Sequence, residues 1–301
     1  MSAMLDGRPI VVGVDSSDVA QKAAVWAAGQ AERRKVDVRL VHAIDMSKLA
    51  SAGGYVPPPD FVAAIESAGR DLLDGVRAEI HRTYPDLVVQ VDLGYAHPVS
   101  VLVEESERAG LLVVGTREQN AVQSLLAGST AVGVAAHARC PTAVIRTGSS
   151  GGVLSTGPVV VGVDGSPASE SAVAIAFEEA SARGVELVAV HAWTEFASDK
   201  DYIYAYQSTL DWGSIEVEQR EMLAERLAGW QEKYPDVTVR RVVMRGKAAQ
   251  MLLSHAADAQ LLVVGSRGRG GFTGMVLGSV SQKLIHHATC PLIIARPATT
   301  G

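Results

Sequence analysis

The sequence predicts an α/β protein of two tandem domains, each a five-stranded parallel sheet doubly wound by helices on both faces. Three observations carry that prediction. Signature segments recur at a shift of about 150 residues, short β-branched apolar runs alternate with longer segments of helical period, and a glycine-bearing turn follows the fourth apolar run of each copy.

The repeat is read from matched segments. IVVGVDSS at residues 10–17 pairs with VVVGVDGS at 159–166, so Asp15 matches Asp164 at a shift of 149. The register continues through VHAI and VHAW, YPDL and YPDV, LLVVGT and LLVVGS, and RCP and TCP, with Gly115 matching Gly265 at a shift of 150. A period this long, with a full set of elements in each copy, marks a duplicated domain and not a solenoid of small units. TGSSGGVLSTG, residues 147–157, is a linker by composition, which sets the domains at 1–147 and 158–301 with the linker over 148–157.

In the second copy the first strand is expected at 158–163, a β-branched run that suits a strand covered on both faces. Ser166 is placed to cap a helix over 167–183, with Pro167 at the opening position, where its missing N–H costs nothing. A second strand at 186–191 leads to a helix over 214–233, on which Glu216 and Arg220 lie one turn apart on a solvated face. The third strand is expected at 237–243 with a helix over 247–258, the fourth at 261–265 with a helix over 279–287, and the fifth at 291–296.

Such sheets receive ligands beyond the carboxyl ends of their strands, where the winding direction reverses, here between strands one and four. Asp164 ends strand one and Gly265 ends strand four. From Gly265 the chain runs two residues to Gly268, nine more to Gly278, and then Ser279 at a helix start. Backbone N–H groups in a turn of this kind, backed by a helix dipole, form an anion cradle. Gly268 and Gly278 admit phosphate oxygens without a Cβ in the way, Ser279 and Ser281 add hydroxyl donors, and Arg267 and Arg269 offset charge. Asp164 would repel phosphate, so its use to a ligand lies in accepting hydrogen bonds from a base amino group or ribose hydroxyls. Spacing leaves a second reading open, in which Asp164 tightens the strand-to-helix turn and the glycines form a surface loop.

VVGVDGS, VHAW and GSRGRGGFTGMVLGSVS together resemble a tandem universal stress protein of the ATP-binding type, and the resemblance extends over nearly the whole chain in two copies. It implies Rossmann-like, adenine nucleotide alpha-hydrolase-like domains, a last strand that pairs domains into dimers, and a role in stress response. It further implies ATP as ligand, with Mg2+ bound through the phosphates. Adenosine contacts are implied at Gly162, Asp164, Ala192 and Val264, and phosphate contacts at Gly265, Arg267, Gly268, Gly278, Ser279, Val280 and Ser281. The first copy keeps Gly13, Asp15, Ala43, Gly115, Gly128 and Ser129 as weaker counterparts, but Glu118 stands where the second has Gly268, and Ala131 replaces Ser281. Weak or absent ATP binding is therefore expected in domain one.

The implied function is ATP-dependent control of conformation or of binding to a protein partner, in a homodimer. A nucleotide-independent dimeric scaffold and a slow ATPase are the alternatives. No serine, histidine and acid arrangement identifies a nucleophilic triad, so no catalytic residue is named. The histidines show no metal-ligand spacing and are expected in the core or at helix ends. A formal charge of -6 offers no global basic field to a nucleic acid. No apolar run approaches the roughly 20 residues of a membrane span and no signal-peptide pattern opens the chain, which gives a cytoplasmic expectation. Cys140 and Cys290, each before a proline, are expected as small buried residues. The aromatic insert SDKDYIYAYQSTLDW, residues 198–212, is expected to pack on its own helix or to fold over the site.

Overall fold

The computed structural model describes residues 7–47, 58–116, 129–146, 156–193, 211–269 and 276–297. Its contacts divide the chain into two units. Unit 1 is Met1–Val153 with Pro291–Arg296, and unit 2 is Leu154–Cys290 with Pro297–Gly301.

In unit 1 the order is β1 (Ile10–Gly13), α1 (Asp18–Arg34), β2 (Val38–Ala43), α2 (Pro59–Thr83), β3 (Val89–Gly94), α3 (Pro98–Glu105), β4 (Leu111–Thr116), α4 (Ser129–His137) and β5 (Thr142–Arg146). The parallel sheet runs β3-β2-β1-β4-β5, so the winding reverses at β1, with β2 on one side and β4 on the other. In unit 2 the repeat gives β6 (Val159–Gly162), α5 (Pro167–Arg183), β7 (Leu187–Trp193), α6 (Trp212–Lys233), β8 (Val239–Arg245), α7 (Ala248–Ala256), β9 (Leu261–Gly265) and α8 (Ser279–His287). Its parallel strands run β9-β6-β7-β8, with the same reversal at β6. The fifth strand of the second copy, β10 (Leu292–Ala295), groups by contact with unit 1, where Leu292 pairs antiparallel with Val144 of β5.

Burial explains the composition of these strands. Ile10, Val11 and Val12 on β1 and Val159, Val160 and Val161 on β6 are fully or almost fully buried because helices cover both faces of each central strand. Helix α5 follows the expected capping chemistry: the Ser166 hydroxyl accepts the Ser169 N–H, Pro167 opens the helix, and Gly184 ends it in the left-handed region at φ 65°. Arg220 and Glu216 pair at 2.6 Å on the exposed face of α6.

The two units fill their cores differently at one point. Phe177 of α5 is fully buried and lies beside Trp230 and Tyr234, with ring centroids 6.1 and 5.9 Å away. The matching position of α1, at the shift of 149, is Ala28.

Both cysteines are buried, and desolvation pushes each thiol up to about 12. The thiolate is the reactive form, so neither should react in the folded chain. Ellman's reagent at pH 8 is expected to titrate no thiol before unfolding and two per chain in denaturant.

Candidate functional site

The site of unit 2 grows from the turn after β6. Asp164 Oδ1 accepts the Ser166 N–H at 2.9 Å, which closes the turn and sets Ser166 as the cap of α5. The Asp164 N–H is given to the Ser169 hydroxyl at 3.1 Å, and the Ser166 hydroxyl reaches the Arg267 carbonyl at 3.2 Å. His191 on β7 braces the same turn from the side, its Nδ1 2.6 Å from the Val163 carbonyl and its Nε2 3.0 Å from the Gln219 side-chain amide.

Across the crevice, the turn after β9 comes back onto this carboxylate. Asp164 Oδ2 accepts the Arg269 N–H at 3.2 Å, and a Cβ placed on Gly268 would stand 2.3 Å from that oxygen. Gly268 is thus a glycine because an acidic side chain occupies the space beside its Cα. Gly165 has φ 76°, and a Cβ there would meet the guanidinium groups of Arg269 at 2.5 Å and Arg226 at 3.0 Å. Two arginines therefore lie over the β6–α5 turn, and Arg226 is held there by Glu170 at 2.5 Å.

Helix α8 starts at the far wall of this crevice. Its cap, Gly278, supplies no side-chain hydrogen bond, and the Gly278 N–H goes to the Ser266 carbonyl at 2.8 Å. The first backbone bond back into the helix cap comes from Gln282 to the Gly278 carbonyl, so the N–H groups of Ser279, Val280 and Ser281 lie in the turn that has no intrahelical acceptor. Ser279 is exposed, whereas Ser281 is 2% exposed and donates its hydroxyl to the Gly265 carbonyl at 2.7 Å. Ser266 is fully buried and its hydroxyl has no partner among the described residues.

The remaining sequence candidates fall at the same end of the strands. Gly162 closes β6 against Val264, where an added Cβ would stand 3.2 Å from the valine side chain, and Ala192 lies near the end of β7. Gly265 owes its identity to packing: a Cβ would meet the Ala168 carbonyl carbon at 2.8 Å and the Ser169 nitrogen at 2.9 Å in the first turn of α5. Gly115 is crowded by Val19 and Ala20 of α1 in the same way. Arg267 and Arg269 are both exposed.

In unit 1 the equivalent crevice is a cavity of about 350 Å³ whose lining includes Gly13, Asp15, Ala43, Gly115 and Ser129. Gly128 and Glu118 lie outside the described residues. Asp15 accepts the Ser17 N–H at 3.0 Å, repeating the turn chemistry of Asp164, and His42 Nδ1 lies 2.8 Å from the Val14 carbonyl.

Sequence reading missed three groups beside the unit 2 crevice. Arg226 reaches it from α6, the Ser166 hydroxyl ties the two turns, and Arg245 stacks 4.0 Å from the Trp212 ring centroid, which in turn lies 6.1 Å from Trp193. Trp212 ends the aromatic insert, whose residues 198–210 lie outside the described part, and Asp211 caps α6 through Gly213 and Ser214. Hydrogen bonding by Ser214 and Gly213 holds the Asp211 carboxyl below its ordinary range. Replacing Ser166 by alanine removes both the α5 cap and the link to Arg267, and is expected to cost about 1–2 kcal/mol in chemical denaturation.

A carboxylate at the end of a central strand, facing a glycine-bearing turn at the reversal of winding, defines a doubly wound α/β domain with a switch-point cleft, and the strand-end carboxylate recurs in unit 1 as Asp15. The chain belongs to the Universal stress protein family, which matches residues 7–146 and 156–296. It is 42% identical over 308 residues to a universal stress protein of Mycobacterium tuberculosis, an alignment that covers 100% of both chains. A universal stress protein of Mycolicibacterium smegmatis is 41% identical over 295 residues, covering 96% of this chain and 97% of that one. Among solved structures, a universal stress protein from Archaeoglobus fulgidus superposes with a TM-score of 0.74 at 19% identity, covering 99% of this chain and 100% of the other, and so shares the fold. No helix among the described residues is long and apolar enough to cross a membrane, and none of their His, Cys, Asp or Glu side chains form a group of three or more that could hold a metal.

Proposed function

We propose that the chain is an adenine-nucleotide-responsive regulator of the cytoplasm, in which ATP fills unit 2 and its presence changes the surface offered to a protein partner. One observation carries this reading: the Asp164 carboxylate is held against the Gly268–Arg269 backbone across the mouth of the crevice. The same Asp164 oxygen that accepts from the loop can accept from a ribose hydroxyl or a base amino group. Exchange of that partner releases the Arg269 N–H toward phosphate, so the loop changes position with occupancy. Ligand and partner binding are then coupled, because the two loop positions differ in affinity for both.

The phosphates would meet Arg267, Arg269, the Ser279 hydroxyl and the uncapped N–H groups at the start of α8, in the positive field of the helix. Mg2+ would travel with the phosphates and neutralise part of their charge. The reading is binding without catalytic turnover, in a homodimer. Mass spectrometry of nucleotide extracted from freshly purified protein is expected to show an adenine nucleotide. Partner capture is expected to change with ATP and to lose that response in Gly268→Glu. Nucleotide-free protein with no thermal shift in millimolar ATP would replace this reading with a nucleotide-independent scaffold.

A further inference from the structure

We propose that the outer edge of β8 is a docking site for a protein partner, taking an acidic segment of that partner as an added strand. β8 ends the strand order of unit 2, and among the described residues no strand pairs with its outer side. The Leu187 N–H is given to the Thr238 carbonyl at 2.9 Å, and the Gly246 N–H to the Trp193 carbonyl at 2.9 Å. In a parallel ladder both backbone groups of one residue point to the same side, and the side alternates along the strand. The even-numbered residues of β8 therefore face β7, and the N–H and C=O groups of Val239, Arg241, Val243 and Arg245 face outward. They form a row of donors and acceptors along a strand of seven residues with no proline in it.

The charge of this edge selects the partner. Residues 239–247 carry Arg240, Arg241, Arg245 and Lys247, all exposed, and no acid, in a chain whose net charge is -6. At the shift of 150, unit 1 has Gln90, Val91, Tyr95 and His97 in those places, with Asp92 among them. The basic edge thus belongs to the second copy and not to the repeat. Like charges keep two β8 edges apart, which leaves this one to a strand of opposite sign. On the α6 side of β8, Arg241 reaches the Gln231 side chain at 2.7 Å and Arg245 lies over the Trp212 ring, with Val243 between them. Two arginines four residues apart with a valine midway match an extended segment carrying acids at the same spacing and an apolar residue between. Val217, 51% exposed, lies 231 − 217 = 14 residues before Gln231, on the same stripe of α6, and adds apolar surface beside the edge. A peptide uses both the backbone row and the charges, whereas a nucleic acid uses only the charges. This inference goes beyond the nucleotide reading, because neither the added strand nor its test involves ATP.

Fluorescence anisotropy with the full chain tests this, using the labelled peptide Val-Thr-Glu-Thr-Val-Thr-Glu as probe. One saturable site per chain is expected. Affinity should fall at least tenfold for a peptide with lysine at both glutamates, and equally for one with all its backbone amides N-methylated, which keeps the charge but cannot extend the ladder. Arg241→Glu and Arg245→Glu together should weaken the parent peptide at least tenfold. So should Val243→Pro, which removes an outward N–H, keeps the bonds to β7 and leaves the charge unchanged. The proposal is overturned by absence of saturable binding, by an N-methylated peptide that binds as tightly as its parent, by unchanged affinity in the double arginine variant, or by a single-stranded DNA oligonucleotide that binds more tightly than the peptide. The peptide comparisons use the wild-type chain, so they decide the matter even where a substitution disturbs the fold.

Discussion

Gly268→Glu is expected to weaken ATP binding to unit 2 by at least 30-fold while leaving the fold intact. The new Cβ would stand 2.3 Å from Asp164 Oδ2, so the carboxylate or the loop must move. The added charge then faces Asp164 and the phosphates together. Two like charges at 4 Å repel by about 4 kcal/mol at an effective dielectric near 20. Cut by half for solvent screening at a partly exposed site, that leaves about 2 kcal/mol, or roughly 30-fold in Kd. Isothermal titration reads the affinity directly, and far-ultraviolet circular dichroism checks the fold. The substitution places in unit 2 the residue that Glu118 supplies in unit 1.

Phe177→Ala is expected to destabilise unit 2 by about 3–5 kcal/mol, the range for emptying an aromatic site in a packed core. The ring is fully buried and lies beside Trp230 and Tyr234, so its loss leaves a cavity lined by large rigid groups that collapse poorly. For a domain of this size the loss corresponds to roughly 10–20 °C in Tm. Unit 1 has Ala28 at the matching position and loses nothing, so calorimetry should resolve one early transition and one near its original temperature. ATP at 100 times its Kd adds about 2.7 kcal/mol to whichever unit binds it. It should therefore raise the early transition and leave the late one in place.

The parts of the fold that local chemistry decides were legible from residues alone. Strand positions such as 261–265 and the helix over 167–183 follow from apolar period, and Ser166 with Pro167 marks a helix start because capping uses neighbours within three residues. The strand reversal that frames the candidate cleft was legible too, since it follows from the order of the repeated elements. Partner choices across the crevice were not. Nothing local tells that the Ser281 hydroxyl turns inward to the Gly265 carbonyl, or that Gly265 and Gly115 are glycines because a helix backbone packs on them. Arg226 reaches the site from a helix some sixty residues away in sequence from Asp164, as 226 − 164 = 62, and no spacing rule anticipates that approach.

Asp164 shows the same division. Of its two sequence readings, closure of the local turn is seen at Oδ1 through Ser166, whereas Oδ2 accepts from Arg269 of the distant loop, a contact that neither reading named. Neighbouring residues could propose the turn role, but the contact with the distant loop is visible only in the tertiary structure.

Titration of ATP into the wild-type full chain, with Gly268→Glu alongside, measures the claimed inequality of the two repeats most directly. One ATP site per chain, lost in the variant, is the predicted result. Two equivalent sites, or one site that survives the substitution unchanged, would contradict it.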